Sequence, residues 1–375
     1  MSATQRTVTI EDLLNLQGPR RLTIKAEMVP DAGLEARWQP AGFPELGHVI
    51  YDAPAGLDSD GNPKSRKVCV VDSPASMANH LESLCWDART RNGLVTDLQG
   101  LPYVRLEATQ QGKPNLLITS SILQDHRIAS SYFTESQWPS TQGRAAEVGQ
   151  NRLFRDFNLQ MGSKRSIVPP ASWRNIYDTL FRYDPCSLVH GVFFPQKKLG
   201  NIKIPRALTA NLDAYEAHTV PYSGVKFDPI GYKHQKDTNY GQSIFAKEDV
   251  VAWTIIATFS IDAQQIRNYG LRDDETRLLL VLSLWKVERF LNDAPKLRTN
   301  CVLRGRNPPQ NQVDGELVQL DVLGLSKELR RLVQAIYSDH EIDPITVTRT
   351  MEELSRSAGQ EEEAGEPEGA SSSAP

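Results

Sequence analysis

The feature that most limits what this chain can fold into is a strict two-residue alternation that occurs twice, far apart in sequence. In VVAWTIIATFSI (250–261) the residues Val251, Trp253, Ile255, Ala257, Phe259 and Ile261 fall on one side of an extended backbone. In RLTIKAEMVP (21–30) Leu22, Ile24, Ala26 and Met28 alternate with Thr23, Lys25 and Glu27, so Lys25 points away from the core. Two strands that each bury a single face require a sheet covered on one side. The 3.6-residue pattern of DETRLLLVLSLWKVERFL (274–291) supplies a helix to cover it, and AQQIRNYG adds a shorter one. Further strands are expected at KVCVV (67–71), PYVRLEA (102–108) and NLLITS (115–120), with a short helix over SSILQDHRI (120–128). The stretch between residues 40 and 67 reads as loops, and 183–240 as short strands and glycine-cornered loops. The expected class is α+β, an antiparallel sheet backed by helices.

In LRTNCVLRGR (297–306), taken as one closing strand, Leu297, Thr299, Cys301 and Leu303 share one side and Arg298, Asn300, Val302 and Arg304 the other. Two arginines then share a sheet face. The organisation expected is an N-terminal arm over 1–20, one domain over 21–350 with insertions near 130–170 and 196–240, and a disordered acidic tail over 351–375. The tail is rich in Glu, Gly, Ser and Pro and cannot offset its own ordering entropy.

Charge narrows the choice of partner. The chain carries a net −4, but its last 25 residues hold seven Glu against one Arg, so the first 350 carry +2. A nucleic-acid site must therefore be a local basic surface. Such a mixture occurs over 196–240, where Lys197, Lys198, Lys203, Arg206, Lys226, Lys233 and Lys236 lie among Tyr215, Tyr222, Phe227, Tyr232 and Tyr240. Surface-loop composition alone also produces it. The four cysteines are scattered without metal-ligand spacing, so buried free thiols are expected and no metal site or cofactor. The apolar runs are too short to cross a bilayer and the N-terminus lacks a secretory layout, which points to the cytoplasm and to no membrane partner.

The stretch CVVDSPASMANHLESLCWD (69–87) admits two chemistries. Ser76 and His80 share a helix face and Asp72 is near, but the G-x-S-x-G elbow of a strained nucleophile is missing. Ser73 as N-cap, Pro74 at the first helical position and Met77, Leu81, Leu84 and Cys85 as a buried stripe describe a capped amphipathic helix. Ser76, Asn79, His80 and Ser83 then lie off the core, and the free N–H groups and hydroxyls of the helix start could receive a phosphate. On the residues alone the cap explains the stretch without a ligand, because Asp72 opposes an anion. SSILQDHRI repeats the theme with Ser120, Ser121, His126 and Arg127, and a nuclease using His126 or His190 stays open, with no metal cluster or paired carboxylates beside it.

RLTIKAEM, FPELG, VDSPASMANHLE, LPYVR, ITSSILQDHRIAS, YDPCSLVHGVFF, IPRAL, SGVK, LLLVLSLWKVERFL and LRTNC occur in this order over roughly residues 20–304. Together they resemble the CRISPR-associated RAMP proteins, most closely the backbone subunit of the subtype I-U, now I-G, Cascade-like interference complex. The resemblance implies a ferredoxin-like, RRM-like palm with finger and thumb insertions. It implies a subunit that is not an enzyme, polymerising head to tail along CRISPR RNA and leaving guide bases free to pair with one strand of target DNA. Other subunits of the complex and a recruited helicase-nuclease follow as partners.

The resemblance assigns Ser73, Ser76, Asn79, Ser120, Ser121, His126 and Arg127 to the guide backbone. The basic faces add Lys25, Arg206, Lys226, Arg298 and Arg304. Where the family pattern runs MANRLE this chain has His80, so a phosphate contact there would be weaker and pH-dependent. The alternative within the same superfamily is an endoribonuclease that processes CRISPR RNA or cuts target RNA.

Overall fold

A computed structural model describes residues 5–42, 47–90, 93–110, 113–140, 145–161, 167–168, 173–222, 247–338 and 344–355. Lys226 and the acidic tail from 356 onward lie outside the described residues. The fold is α+β, and the chain divides into two compact units, each assembled from separated segments: 1–84, 208–264 and 283–323 in the first, and 85–207, 265–282 and 324–375 in the second. Residues 223–240 of the insertion expected near 196–240 lie outside the described residues.

The first unit is built on one large sheet. Its strands run in the order Arg6–Thr9, Glu316–Asp321, Gln310–Val313, Arg21–Pro30, Thr254–Asp262, Leu208–Tyr215, Pro63–Asp72 and Ile50–Leu57, and Cys301–Gly305 pairs with the far end of Arg21–Pro30. All neighbours are antiparallel except Arg6–Thr9, which runs parallel to Glu316–Asp321. Residues expected as an arm are thus part of the sheet, and Thr9 caps the following short helix Ile10–Leu14. Four strands carry the centre. In chain order they are Arg21–Pro30, Leu208–Tyr215, Thr254–Asp262 and Cys301–Gly305; in space the fourth lies beside the first, then come the third and the second.

Alternation did place the core. Leu22, Ile24, Ala26 and Met28 are buried, as are Ile255, Ala257, Phe259 and Ile261, and the ring of Phe290 from the helix Asp273–Asn292 meets Phe259 edge-on at 5.5 Å. The pattern in 250–261 begins later than expected, however: Val251 ends the strand Lys247–Val251, and Trp253 stands 70% exposed in the break before Thr254. Residues 297–306 are likewise not one strand. Arg298 pairs with Cys301, so Thr299 and Asn300 form a two-residue turn between Lys296–Arg298 and Cys301–Gly305. The Asn300 side chain locks the turn by donating to the Arg37 carbonyl and to Asp249. Arg298 and Arg304 therefore sit on different strands. The span expected as loops before residue 67 forms a hairpin, Ile50–Leu57 with Pro63–Asp72, whose turn is held by Asp58 Oδ1 accepting from the backbone N–H groups of Asp60 and Asn62.

The second unit holds a five-stranded sheet in the order Lys113–Ser120, Val104–Gln110, Ile345–Thr350, Gln137–Trp138, Glu147–Val148. Its helices include Gly149–Asp156, Trp173–Tyr183, Pro185–His190 and Leu325–Tyr337. No α-helix forms over 120–128. Ser121 stays bonded to Val104, Gln124 donates to Thr119, and Arg127 takes φ 52°, which a right-handed helix excludes. Residues 185–190, expected within a strand-and-loop region, are helical because Pro185 starts the turn and Gly191 at φ 75° ends it. No helix among the described residues is long and apolar enough to cross a membrane.

Candidate nucleic-acid interface

The strand Pro63–Asp72 delivers Asp72, fully buried, to the start of the helix Pro74–Ser83. The cap forms as the residues dictate: Ser73 Oγ accepts from the Ser76 N–H at 3.3 Å, Pro74 opens the helix, and Met77, Ala78 and Leu81 are buried. Leu84, expected in the buried stripe, is only half-buried, whereas Cys85 is fully buried. Asp72 gathers its surroundings. Its Oδ1 accepts from the Ser73 N–H at 2.9 Å and lies 3.1 Å from Arg298 Nη2; its Oδ2 lies 3.1 Å from His80 Nε2. Arg298 Nη1 also donates to the Val71 carbonyl at 2.9 Å. Burial pushes the Asp72 carboxyl up, but the hydrogen bond from His80, the Arg298 charge and the Ser76 hydroxyl outweigh it and hold it below its ordinary value.

The structure thus brings together Ser73, Ser76, His80 and Arg298, four of the residues assigned to the guide backbone, but around an internal carboxylate. The place an external phosphate would take at this helix start is held by Asp72. His80 Nε2 and Arg298 Nη2 are both directed at this carboxylate. Asn79 is half-buried on the same helix.

A pH dependence follows from the lowered carboxyl. Its stabilising contribution is complete above the ordinary carboxylate value of 3.8 and is lost as pH falls through the lower folded-state value. Thermal melts taken from neutral pH downward will show stability falling in that acid window, with a flatter profile for Asp72→Asn.

The remaining assignments divide by exposure. Ser120 and Ser121 are fully buried and Arg127 nearly so, and burial withdraws all three from any surface. Arg127 Nη1 donates to the carbonyls of Gly191 at 3.1 Å and Asp125 at 3.3 Å. Arg206, half-buried, belongs to the same knot, because its backbone lies where a Cβ on Gly191 would fall. Arg127 thus fastens its own segment to the Gly191 turn. His190, a candidate base, is buried at 1% exposure, whereas His126 is exposed. Among the described residues no group of three or more His, Cys, Asp or Glu could hold a metal ion. The four cysteines are free and buried, and burial pushes the Cys69 and Cys301 thiols up to about 12, which leaves them unreactive.

Of the assigned lysines and arginines among the described residues, two are presented to solvent. Arg304 has one loose pairing, 3.8 Å to exposed Asp31. Lys25 is exposed with no ion pair among the described residues, at the middle of the sheet face opposite the core. Register places Gln310, Lys25, Thr258 and Asn211 side by side across four strands, and Gln312, Thr23, Ser260 and Thr209 in the next polar row. All eight are exposed or half-buried. Of these, sequence reasoning had singled out Lys25 alone. The same alternation that identified the core contained Thr23, Thr258 and Ser260 as its polar half, while Gln310 and Gln312 lie beyond the span from which any role was drawn. A row of amide, hydroxyl and ammonium groups can donate to phosphate and sugar oxygens without selecting a base.

No curated protein matches this chain. A solved structure described as "CRISPR RNA-guided surveillance complex, pre-nicking" aligns over 90% of this chain and 98% of its own at 12% identity, with a TM-score of 0.30, a likeness that carries no argument. Residues 22–219 match the family described as CRISPR-associated protein GSU0053, a match that takes in the central strand with Lys25, the Asp72 cap and the Gly191 knot. Because that match spans more than half of the chain, the protein belongs to this CRISPR-associated family.

Proposed function

We propose that this chain is a non-catalytic subunit of a CRISPR interference complex, a RAMP-type backbone protein that assembles in copies along CRISPR RNA. It holds the sugar-phosphate backbone and leaves the guide bases to pair with target DNA. The observation that carries the reading is the open polar sheet face centred on Lys25, on the antiparallel strands at the middle of the sheet. A subunit serving guides of any sequence must recognise backbone and sugar, and this face offers donors without an aromatic platform on its two central rows. Other subunits of the complex, and a helicase-nuclease acting on the displaced DNA, are its partners in this reading.

Lys25→Ala and Arg304→Ala variants test it. Each removes an exposed cation, so each lowers affinity alike for two single-stranded RNAs of unrelated sequence and reduces the salt slope by about 0.7 per lost phosphate contact. Unchanged binding by both variants, or a loss confined to one RNA sequence, contradicts the backbone reading. Metal-independent cleavage of the RNA that disappears in His126→Ala favours the endoribonuclease instead.

A further inference from the structure

In the second unit, residues 192–206 carry four cations, Lys197, Lys198, Lys203 and Arg206, and no Asp or Glu. They form a hairpin on two short antiparallel strands, Val192–Phe193 and Lys203–Ile204. Its inner side is anchored: Val192, Phe194, Leu199, Ile202 and Ile204 are buried, and Phe194 meets Phe157 edge-on at 5.4 Å. Gln196 ties the connection down by donating to the Ala129 carbonyl at 3.1 Å and to the Thr134 hydroxyl at 3.2 Å. The outer side presents Phe193, 49% exposed, and Lys203, exposed and without an ion pair among the described residues. These two are direct cross-strand partners. Phe194 donates to the Ile202 carbonyl at 2.9 Å, which makes 193–203 the narrow pair of the ladder, with Cα atoms about 4.5 Å apart and both side chains on one face. Ring and ammonium are therefore close enough for a single nucleotide to touch both. Every other phenylalanine among the described residues is buried or half-buried.

We propose that Phe193 and Lys203 hold one nucleotide of the bound RNA strand, its base stacked on the Phe193 ring and its phosphate set against the Lys203 ammonium. The inference rests on the nucleic-acid reading above and adds to it a contact in the second unit. Four cations without a carboxylate in one hairpin complement a polyanion. One exposed ring supplies only a small part of the about 800 Å² that each side of a protein interface buries, which favours a strand over a protein partner. Stacking accepts any base, so the contact is sequence-tolerant. The anchored inner side holds ring and ammonium in place before the strand arrives, so little ordering is needed on binding.

The test measures binding of the purified protein to a short oligouridylate, to its deoxy counterpart and to an abasic ribose-phosphate strand of the same length, which keeps the charge but has no base. Phe193→Ala weakens the oligouridylate about tenfold and leaves the abasic strand unchanged. Phe193→Tyr keeps the affinity, whereas Phe193→Leu, apolar but without a π-face, loses it as alanine does. Lys203→Ala weakens oligouridylate and abasic strand alike and lowers the salt slope by about 0.7. It leaves the ring in place, so it tests the site even if Phe193→Ala folds poorly. Oligouridylate binding unchanged in Phe193→Ala or in Lys203→Ala, with Lys25→Ala still impaired, overturns the site and leaves the proposed function standing. An equal loss on the abasic strand in Phe193→Ala, or a loss confined to the deoxy strand, also overturns it. So does the loss of co-purifying protein subunits from Phe193→Ala at unchanged oligouridylate affinity, since the surface then binds protein. A wild-type chain that binds neither RNA probe removes the nucleic-acid reading and this site with it.

Discussion

Replacing Arg298 by alanine will destabilise the protein by about 3 kcal/mol before any effect on a ligand is measured. Asp72 has no solvent to fall back on, and Arg298 supplies its Oδ1 partner at 3.1 Å. Removing the guanidinium leaves a buried carboxylate beside the His80 and Ser76 side chains alone and also strips a donor from the Val71 carbonyl. Neutralising the carboxylate in the same chain recovers part of the loss: Asp72→Asn/Arg298→Ala will be more stable than the sum of the single changes by about 1–3 kcal/mol in a denaturant-melt cycle. Additive single effects mean that the pair is not coupled. The consequence for function is practical. A weakened RNA complex in Arg298→Ala cannot be assigned to a lost phosphate contact, whereas one in Lys25→Ala can, because Lys25 makes no ion pair among the described residues.

Gly191→Ala will be at least as damaging to the second unit, at about 3 kcal/mol or more. The residue has φ 75°, and an added Cβ would lie 2.8 Å from the Ile204 carbonyl oxygen and 2.9 Å from the Arg206 nitrogen. Both obstacles are backbone and cannot swing aside as a flexible side chain does. Gly191 also ends the helix Pro185–His190, and its carbonyl accepts from the buried Arg127 guanidinium, so displacing it disturbs both. Gly61→Ala is the control. Its φ of 84° carries a comparable backbone penalty with nothing within 4 Å of the new methyl, so the cost should stay near about 1 kcal/mol. Equal urea midpoints for the two variants would show that the close approach at Gly191 is not maintained in solution.

How much could be read from the chain follows from which interactions are local. Period-two alternation placed the core of Arg21–Pro30 and of Thr254–Asp262, since a strand with one buried face records it in every second residue. The cap at Ser73 and Pro74 was equally legible, because capping is decided within four residues. Alternation alone could not reveal the Thr299–Asn300 turn, whose lock is the pairing of Asn300 with Arg37 and Asp249 from distant segments. The same holds for the Asp72 node: His80 is a neighbour in sequence, but Arg298 arrives across the fold and turns an apparent phosphate site into an internal ion pair. Arg127 misled for a related reason. A basic residue after hydroxyls resembles a surface motif until its guanidinium is seen fastened to Gly191. The open face of the sheet was half visible in the polar residues of the alternating strands, and incomplete because Gln310 and Gln312 join it from a segment that was assigned no role.

The central claim is that copies of this chain assemble along RNA without cutting it, and stoichiometry tests this most directly. Native mass spectrometry of the protein with single-stranded RNAs of increasing length and unrelated sequence should show the number of bound copies rising with length, independent of sequence, on RNA of undiminished mass. A single copy on every RNA whatever its length, or RNA shortened by the protein, would contradict the account.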